Sequence, residues 1–314
     1  MKARAAILVV MLAAESPAAA HGGHPVAPGG LWSDWHPDPV LSLLLGTVGL
    51  AYGLGIARLW RRAGLGRGIR LLEALAFLAG MAVLTAALIS PLERAAGTLL
   101  TAHMVQHVLL LAVAPPLLLL GRPDAALAFA LPAAARRGIA ATPFGALAGA
   151  LRRLARPVPA ALLHGVAIWI WHAPGPFQAA LQSPLLHDAE HASFFLTALL
   201  FWQSVIVGAR SPATRIAAIL ATLATLIHSG LLGALITLTR RPLYPAYGPA
   251  HVWSLSPMED QQLAGLVMWV PAGAIYLLAG LVLAARLIGF EEPAEPARAP
   301  ARHQPHEPAA PAPG

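Results

Sequence analysis

Seven apolar stretches set the pattern of the chain, at about 39–60, 69–89, 100–120, 157–175, 188–208, 214–238 and 262–285. A helix needs about 20 residues to cross a hydrocarbon core of ~30 Å. Six of the stretches meet that length comfortably, and the fourth is marginal, so it is expected to be short or tilted. The pattern predicts an all-α fold: a polytopic membrane helix bundle with seven transmembrane helices over 39–288. No internal repeat stands out.

The polar breaks between spans fix a direction. Sixteen arginines fall on one side: Arg58, Arg61, Arg62, Arg67, Arg70, Arg122, Arg136, Arg137, Arg152, Arg153, Arg156, Arg210, Arg215, Arg286, Arg298 and Arg302. Only Arg94, Arg240 and Arg241 fall between spans on the other. The positive-inside rule then puts the N-terminus outside and the C-terminus inside. Composition agrees, with 57% hydrophobic and 11% charged residues and a mean hydropathy of +0.66, against about 25% charged residues in soluble domains. The net charge of +7 sits in those short loops and forms no basic patch with interleaved aromatics, which excludes a nucleic-acid partner.

The ends differ from the bundle. MKARAAILVVMLAAESPAAA has a basic start, an apolar run of about ten residues and a small-residue end, too short to span a bilayer. Residues 1–20 are therefore expected to be a signal peptide, with an uncleaved anchor as the alternative. Residues 21–38 form an outer N-terminal segment, in which His21, His24 and His36 are expected to lie in solvated loop. The inner loop 121–156 is expected to carry a surface-lying amphipathic helix. The Pro/Ala-rich residues 289–314 read as a disordered cytoplasmic tail, in which His303 and His306 are assigned no role.

Against this apolar background the histidines stand out. His103 and His107 lie in the third span, and His187 and His191 open the fifth. Side chains four apart share a helix face, and an ionisable group within a span usually faces the protein interior and marks function. With the orientation above, both pairs and His172 fall within roughly 10 Å of the outer surface, from a rise of 1.5 Å per residue. Met104, Gln106, Asp188, Glu190, Glu93, Met258, Glu259 and Asp260 share that level. His103, His107, His172, His187 and His191 are the candidate metal ligands, with Asp188, Asp260 and Met104 as candidate supporting groups.

The chain has no cysteine. Thiolate sites, iron–sulfur clusters and covalent CxxCH haem are excluded, and imidazole suits copper, zinc, iron or haem. His164, on the inner half of the fourth span, and His228, near mid-depth in the sixth, read as interior hydrogen-bonding residues. His172, flanked by Trp169, Trp171 and Pro174, fits an interfacial aromatic belt as well as it fits a site. Pro115-Pro116 interrupts the backbone ladder of the third span, and the freed carbonyls need partners. Gly230, Gly233, Gly265 and Gly280 are expected to permit close helix contact. No GxSxG, P-loop, dinucleotide fingerprint or HExxH is present, so an enzyme is not expected.

The strings HMVQHVLLLAVAPPLLLLGRP, WHAPGPFQAALQSPLLHDAEHASFFLTALLFW and LLGALITLTRRPLYPAYG followed by LSPMEDQQLAGLVMWVPAG resemble the polytopic CtaG family of cytochrome c oxidase assembly factors. The resemblance runs from about residue 35 to 288. It implies a multi-pass protein of the bacterial cytoplasmic membrane that supports oxidase maturation by supplying or inserting copper, with cytochrome c oxidase subunits as partners alongside membrane lipid. By that likeness His103, His107, His172, His187, His191 and Asp260 stand at motif positions. Two alternatives remain open from the residues themselves: a haem-binding or haem-handling membrane protein, and a copper permease.

Overall fold

The computed structural model describes residues 28–32, 35–130, 144–247 and 253–289, and among them every regular element is helical. The longer helices are α1 (Pro39–Ala63), α2 (Leu71–Leu88), the short α3 (Pro91–Ala96), α4 (Leu100–Leu120), α5 (Pro123–Ala130), α6 (Phe144–Leu154), α7 (Pro157–His172), α8 (Pro174–Gln182), α9 (Pro184–Gly208), α10 (Pro212–Leu238) and α11 (Pro257–Ile288). The expected signal peptide, residues 21–27, 33 and 34 of the outer segment, and residues 290–314 of the tail lie outside the described residues.

Five of these helices start from one local code. Asp38-Pro39, Ser90-Pro91, Ser183-Pro184, Ser211-Pro212 and Ser256-Pro257 each put an oxygen-bearing N-cap before a proline in the first turn. Proline loses nothing there because its missing N–H has no helical acceptor. The cap oxygen takes one of the unsatisfied amides, as Ser256 Oγ does from Glu259 at 3.2 Å. Glu259 answers by accepting from the Ser256 amide at 2.8 Å, completing a capping box.

These caps correct the predicted boundaries. α9 begins at Pro184 rather than 188, and α11 at Pro257 rather than 262, because capping starts a helix in polar sequence before hydropathy rises. His187 and Asp260 therefore lie inside helices. Among the described residues six helices, α1, α2, α4, α9, α10 and α11, are long and apolar enough to cross a membrane. The marginal fourth stretch breaks at Ala173 into the 16-residue α7 and the 9-residue α8, because Pro174 opens a new helix. Among the described residues of the arginine-rich loop lie α5 and α6.

α4 is the central pillar. One apolar core joins it to α7, α9, α10 and α11, and a second joins it to α1, α2 and α5. The most extensive pairing is α10 with α11, at the point where Gly233 and Gly265 face each other. A Cβ on Gly265 would stand 2.6 Å from the Gly233 carbonyl oxygen, so glycine is what lets these backbones meet.

α4 is not regular throughout. Residues Leu109–Val113 form a π-helical turn, the local expansion that precedes Pro115-Pro116. The Leu111 carbonyl has only Pro115 four residues on, or Pro116 five on, as ladder partners, and neither has an N–H. Trp202 of α9 supplies the missing donor, its indole Nε1 reaching Leu111 O at 2.8 Å. The partner that the double proline demanded is thus an aromatic N–H on the neighbouring span.

Candidate metal centre

Both histidine pairs face inward and meet. On α4, His103 and His107 are fully buried, their ring centroids 4.3 Å apart. On α9, His187 and His191 are buried with centroids 4.1 Å apart. Across the interface His103 lies 5.7 Å from His187, and His107 lies 5.6 Å from His191. The separation of four places each pair on one face, and the α4–α9 contact then turns the two faces toward each other.

A carboxylate completes the group. Glu190 is fully buried, its Oε1 3.7 Å from His107 Nε2 and its Oε2 3.6 Å from His187 Nδ1. One ligand-type atom from each of His103, His107, Glu190 and His191 lies within 4.8 Å of every other. Donors around a tetrahedral ion with bonds near 2.0 Å stand about 3.3 Å apart, so the four would have to draw closer to share one ion.

The group could hold a cation. Both Glu190 oxygens and His107 Nε2 are buried, and the nearest partners of the carboxylate are imidazole nitrogens 3.6 and 3.7 Å away. A carboxylate in that condition is costly unless a positive charge compensates it. Three imidazoles and one carboxylate, without sulfur, form a donor set that copper and zinc accept.

The supporting residues differ in part from those expected. Asp188 is exposed; the carboxylate among the rings is Glu190, three residues along the same face from His187. Met104 is fully buried within the apolar core that contains Leu100 and Val108. Asp260 caps α4, its Oδ2 accepting from the Leu100 amide at 2.7 Å. His172 lies against the site rather than in the four-residue group. Its Nε2 is 3.4 Å from His107 Nδ1 and its Nδ1 is 2.7 Å from Ile168 O. His187 also stands beside that group, held between His191 and Glu190.

Tyr247 and Tyr244 support the site without having been singled out, alongside Gln106, which shares the histidines' level in the sequence. The Tyr247 hydroxyl lies 2.9 Å from both His103 Nδ1 and Ala96 O. Burial, reinforced by the Glu190 and Asp260 carboxylates, pushes its phenol pKa upward, so the hydroxyl keeps its proton. Tyr244 donates to the His172 carbonyl at 2.8 Å, and Gln106 Nε2 to Ala87 O at 2.7 Å. Both tyrosines occur in the LYPAYG string before α11, where an interfacial aromatic is the ordinary reading. Glu93, on α3, has its carboxyl pKa raised by burial, with His187 and Arg94 opposing the shift.

His164 and His228 keep apart from this group. His164 Nε2 meets the Tyr276 hydroxyl at 3.0 Å, its Nδ1 lies 3.4 Å from Thr197 Oγ1, and its ring stacks on Phe201. His228 accepts from the Trp169 indole at 3.3 Å. His164 is fully buried, whereas His228 is only half-buried.

An all-helical multi-pass membrane protein with metal-type side chains gathered inside one end of the bundle is the class that fold and site define. Residues 50–289 match the cytochrome c oxidase caa3 assembly factor family (Caa3_CtaG), and the chain belongs to that family of cytochrome c oxidase assembly factors. Comparison with curated proteins and with solved structures returned no match.

Proposed function

We propose that this assembly factor holds copper at the His103, His107, His191 and Glu190 cluster and passes it to a cytochrome c oxidase subunit during maturation, without catalysing a reaction. The observation that carries the reading is the buried carboxylate gathered with three imidazoles, its oxygens 3.6–3.7 Å from the nearest ring nitrogens. Copper is the cargo, His187 stands ready beside the ligands, and His172 braces His107. The protein is read as a seven-span protein of the bacterial cytoplasmic membrane, N-terminus outside and C-terminus inside, with residues 1–20 removed as a signal peptide. That orientation puts the cluster at the outer leaflet, open to an extracytoplasmic metal supply.

The donor set supports copper over haem. Three imidazoles and a carboxylate gathered within 4.8 Å of one another suit a bare ion, whereas haem iron takes only one or two axial ligands from the protein. A purified preparation with a Soret band would reverse that preference, and copper flux in proteoliposomes would favour a permease.

Metal analysis of the full chain tests the proposal. The protein should retain copper after desalting, and the His103→Ala/His107→Ala variant should retain none while still inserting into the membrane. A strain carrying that variant should assemble less active oxidase. Unchanged oxidase maturation there would count decisively against the reading.

A further inference from the structure

We propose that Tyr247 and His172 are positioning residues that determine which ring nitrogen His103 and His107 offer to the metal, namely Nε2 in both. This rests on the metal reading above, but the hydrogen-bond chains that carry it exist independently of any ion.

The first chain starts at a backbone carbonyl, which can only accept. Ile168 O lies 2.7 Å from His172 Nδ1, so neutral His172 carries its proton on Nδ1 and has a lone pair on Nε2. That lone pair faces His107 Nδ1 at 3.4 Å, which is therefore the protonated nitrogen of His107. His107 Nε2 is left with its lone pair, and it is the atom that faces Glu190 at 3.7 Å.

The second chain ends on another carbonyl. The Tyr247 hydroxyl has one proton, and Ala96 O at 2.9 Å can only accept it. The phenol oxygen is then the acceptor for His103 Nδ1 at 2.9 Å. His103 must carry its proton on Nδ1 and present Nε2.

Two elements thus impose the same tautomer on two histidines of one helix: α7 acts on His107, and the segment before α11 acts on His103. Partners of this kind orient metal-bound imidazole and raise its basicity, and their loss typically costs 10–100-fold in metal affinity. Tyr247 and His172 are expected to act at that scale without touching the ion.

Long-range 1H–15N correlation on the full-length, histidine-labelled, metal-free protein in micelles reads the tautomers directly. His103, His107 and His172 should all be protonated at Nδ1, with unprotonated Nε2. An Nε2–H form at His103 or His107 overturns the proposal, whatever copper does. Chelator competition supplies the second readout: Tyr247→Phe should weaken copper binding 10–100-fold. His172→Phe should do the same, and His172→Gln, whose amide oxygen can accept from His107 Nδ1, should recover part of the loss. Equal losses in the Gln and Phe variants overturn the role of His172. If a variant fails to fold, the tautomers of the unmodified chain still decide. The expected tautomers in a protein that binds no copper would uphold the positioning and overturn the metal reading instead.

Discussion

Asp260 and Thr101 join two transmembrane helices: Asp260 Oδ1 accepts from the Thr101 amide at 2.9 Å and from its hydroxyl at 2.6 Å. The N-cap position of α4 is Leu99, which has no side-chain acceptor. The first amides of α4, those of Leu100 and Thr101, are instead capped by a carboxylate from the first turn of α11. The helix that bears His103 and His107 is therefore anchored at its start by another span.

Asp260→Asn tests this cap. Both carboxylate oxygens are in use, and an amide offers one oxygen and turns donors toward an N–H. The variant should lose about 1–3 kcal/mol, the scale for a buried donor left without its acceptor. Thermal unfolding in detergent measures the loss. An unchanged midpoint would show that water caps α4 equally well.

Trp202→Phe isolates the repair beneath Pro115-Pro116. Phenylalanine keeps the aromatic bulk but leaves Leu111 O with no donor in an apolar surround, at a cost of about 1–3 kcal/mol. Restoring an N–H with Pro115→Ala in the same chain should return part of the stability, which a double-mutant cycle reads as coupling.

Six of the seven expected spans and the facing of the histidine pairs were legible because hydropathy and the separation of four are local properties. So was the need for a partner at Pro115-Pro116, although not that Trp202 would supply it. The early starts of α9 and α11 were also written locally, as Ser183-Pro184 and Ser256-Pro257, but a hydropathy window averages such signals away. What no local pattern encodes is the choice among equivalent polar residues. Asp188 and Glu190 both neighbour His187, and only the rotation of α9 against α4 decides which carboxylate turns inward. Tyr247 is further still from sequence reach, because its bond to His103 joins positions 144 apart.

Gly265→Ala should disturb the site from a distance. The new methyl would meet Thr237 Oγ1 at 2.2 Å and Gly233 O at 2.6 Å, so α11 must move away from α10. Overpacking of this kind costs about 1–3 kcal/mol. Thr237→Ala should not rescue it, because the Gly233 backbone still blocks the methyl. Copper retention should fall as well, since Asp260 moves with α11.

Glu190→Gln should separate stability from binding. The substitution keeps the shape and removes a buried charge whose nearest partners are imidazoles 3.6–3.7 Å away, so the metal-free variant should melt at or above the parent temperature. Copper at 100 times its dissociation constant should stabilise the parent by about 2.7 kcal/mol. The variant should gain far less. Equal copper-induced shifts in the two proteins would remove Glu190 from the ligand set.

The number of crossings turns on α7. Its 16 residues span about 24 Å at 1.5 Å per residue, short of the ~30 Å hydrocarbon thickness. A helix this short crosses by thinning the bilayer locally or by sharing the depth with α8. Alkaline phosphatase is active only outside the cytoplasmic membrane, so fusions after Leu154 and after Gln182 bracket α7. With seven spans the first fusion is inactive and the second active. Equal activity at both points would make α7 a re-entrant helix, and with six spans the two ends of the chain would share one side. The arginine distribution favours the first outcome, because Arg152, Arg153 and Arg156 immediately precede α7 while the nine residues of α8 contain no basic side chain.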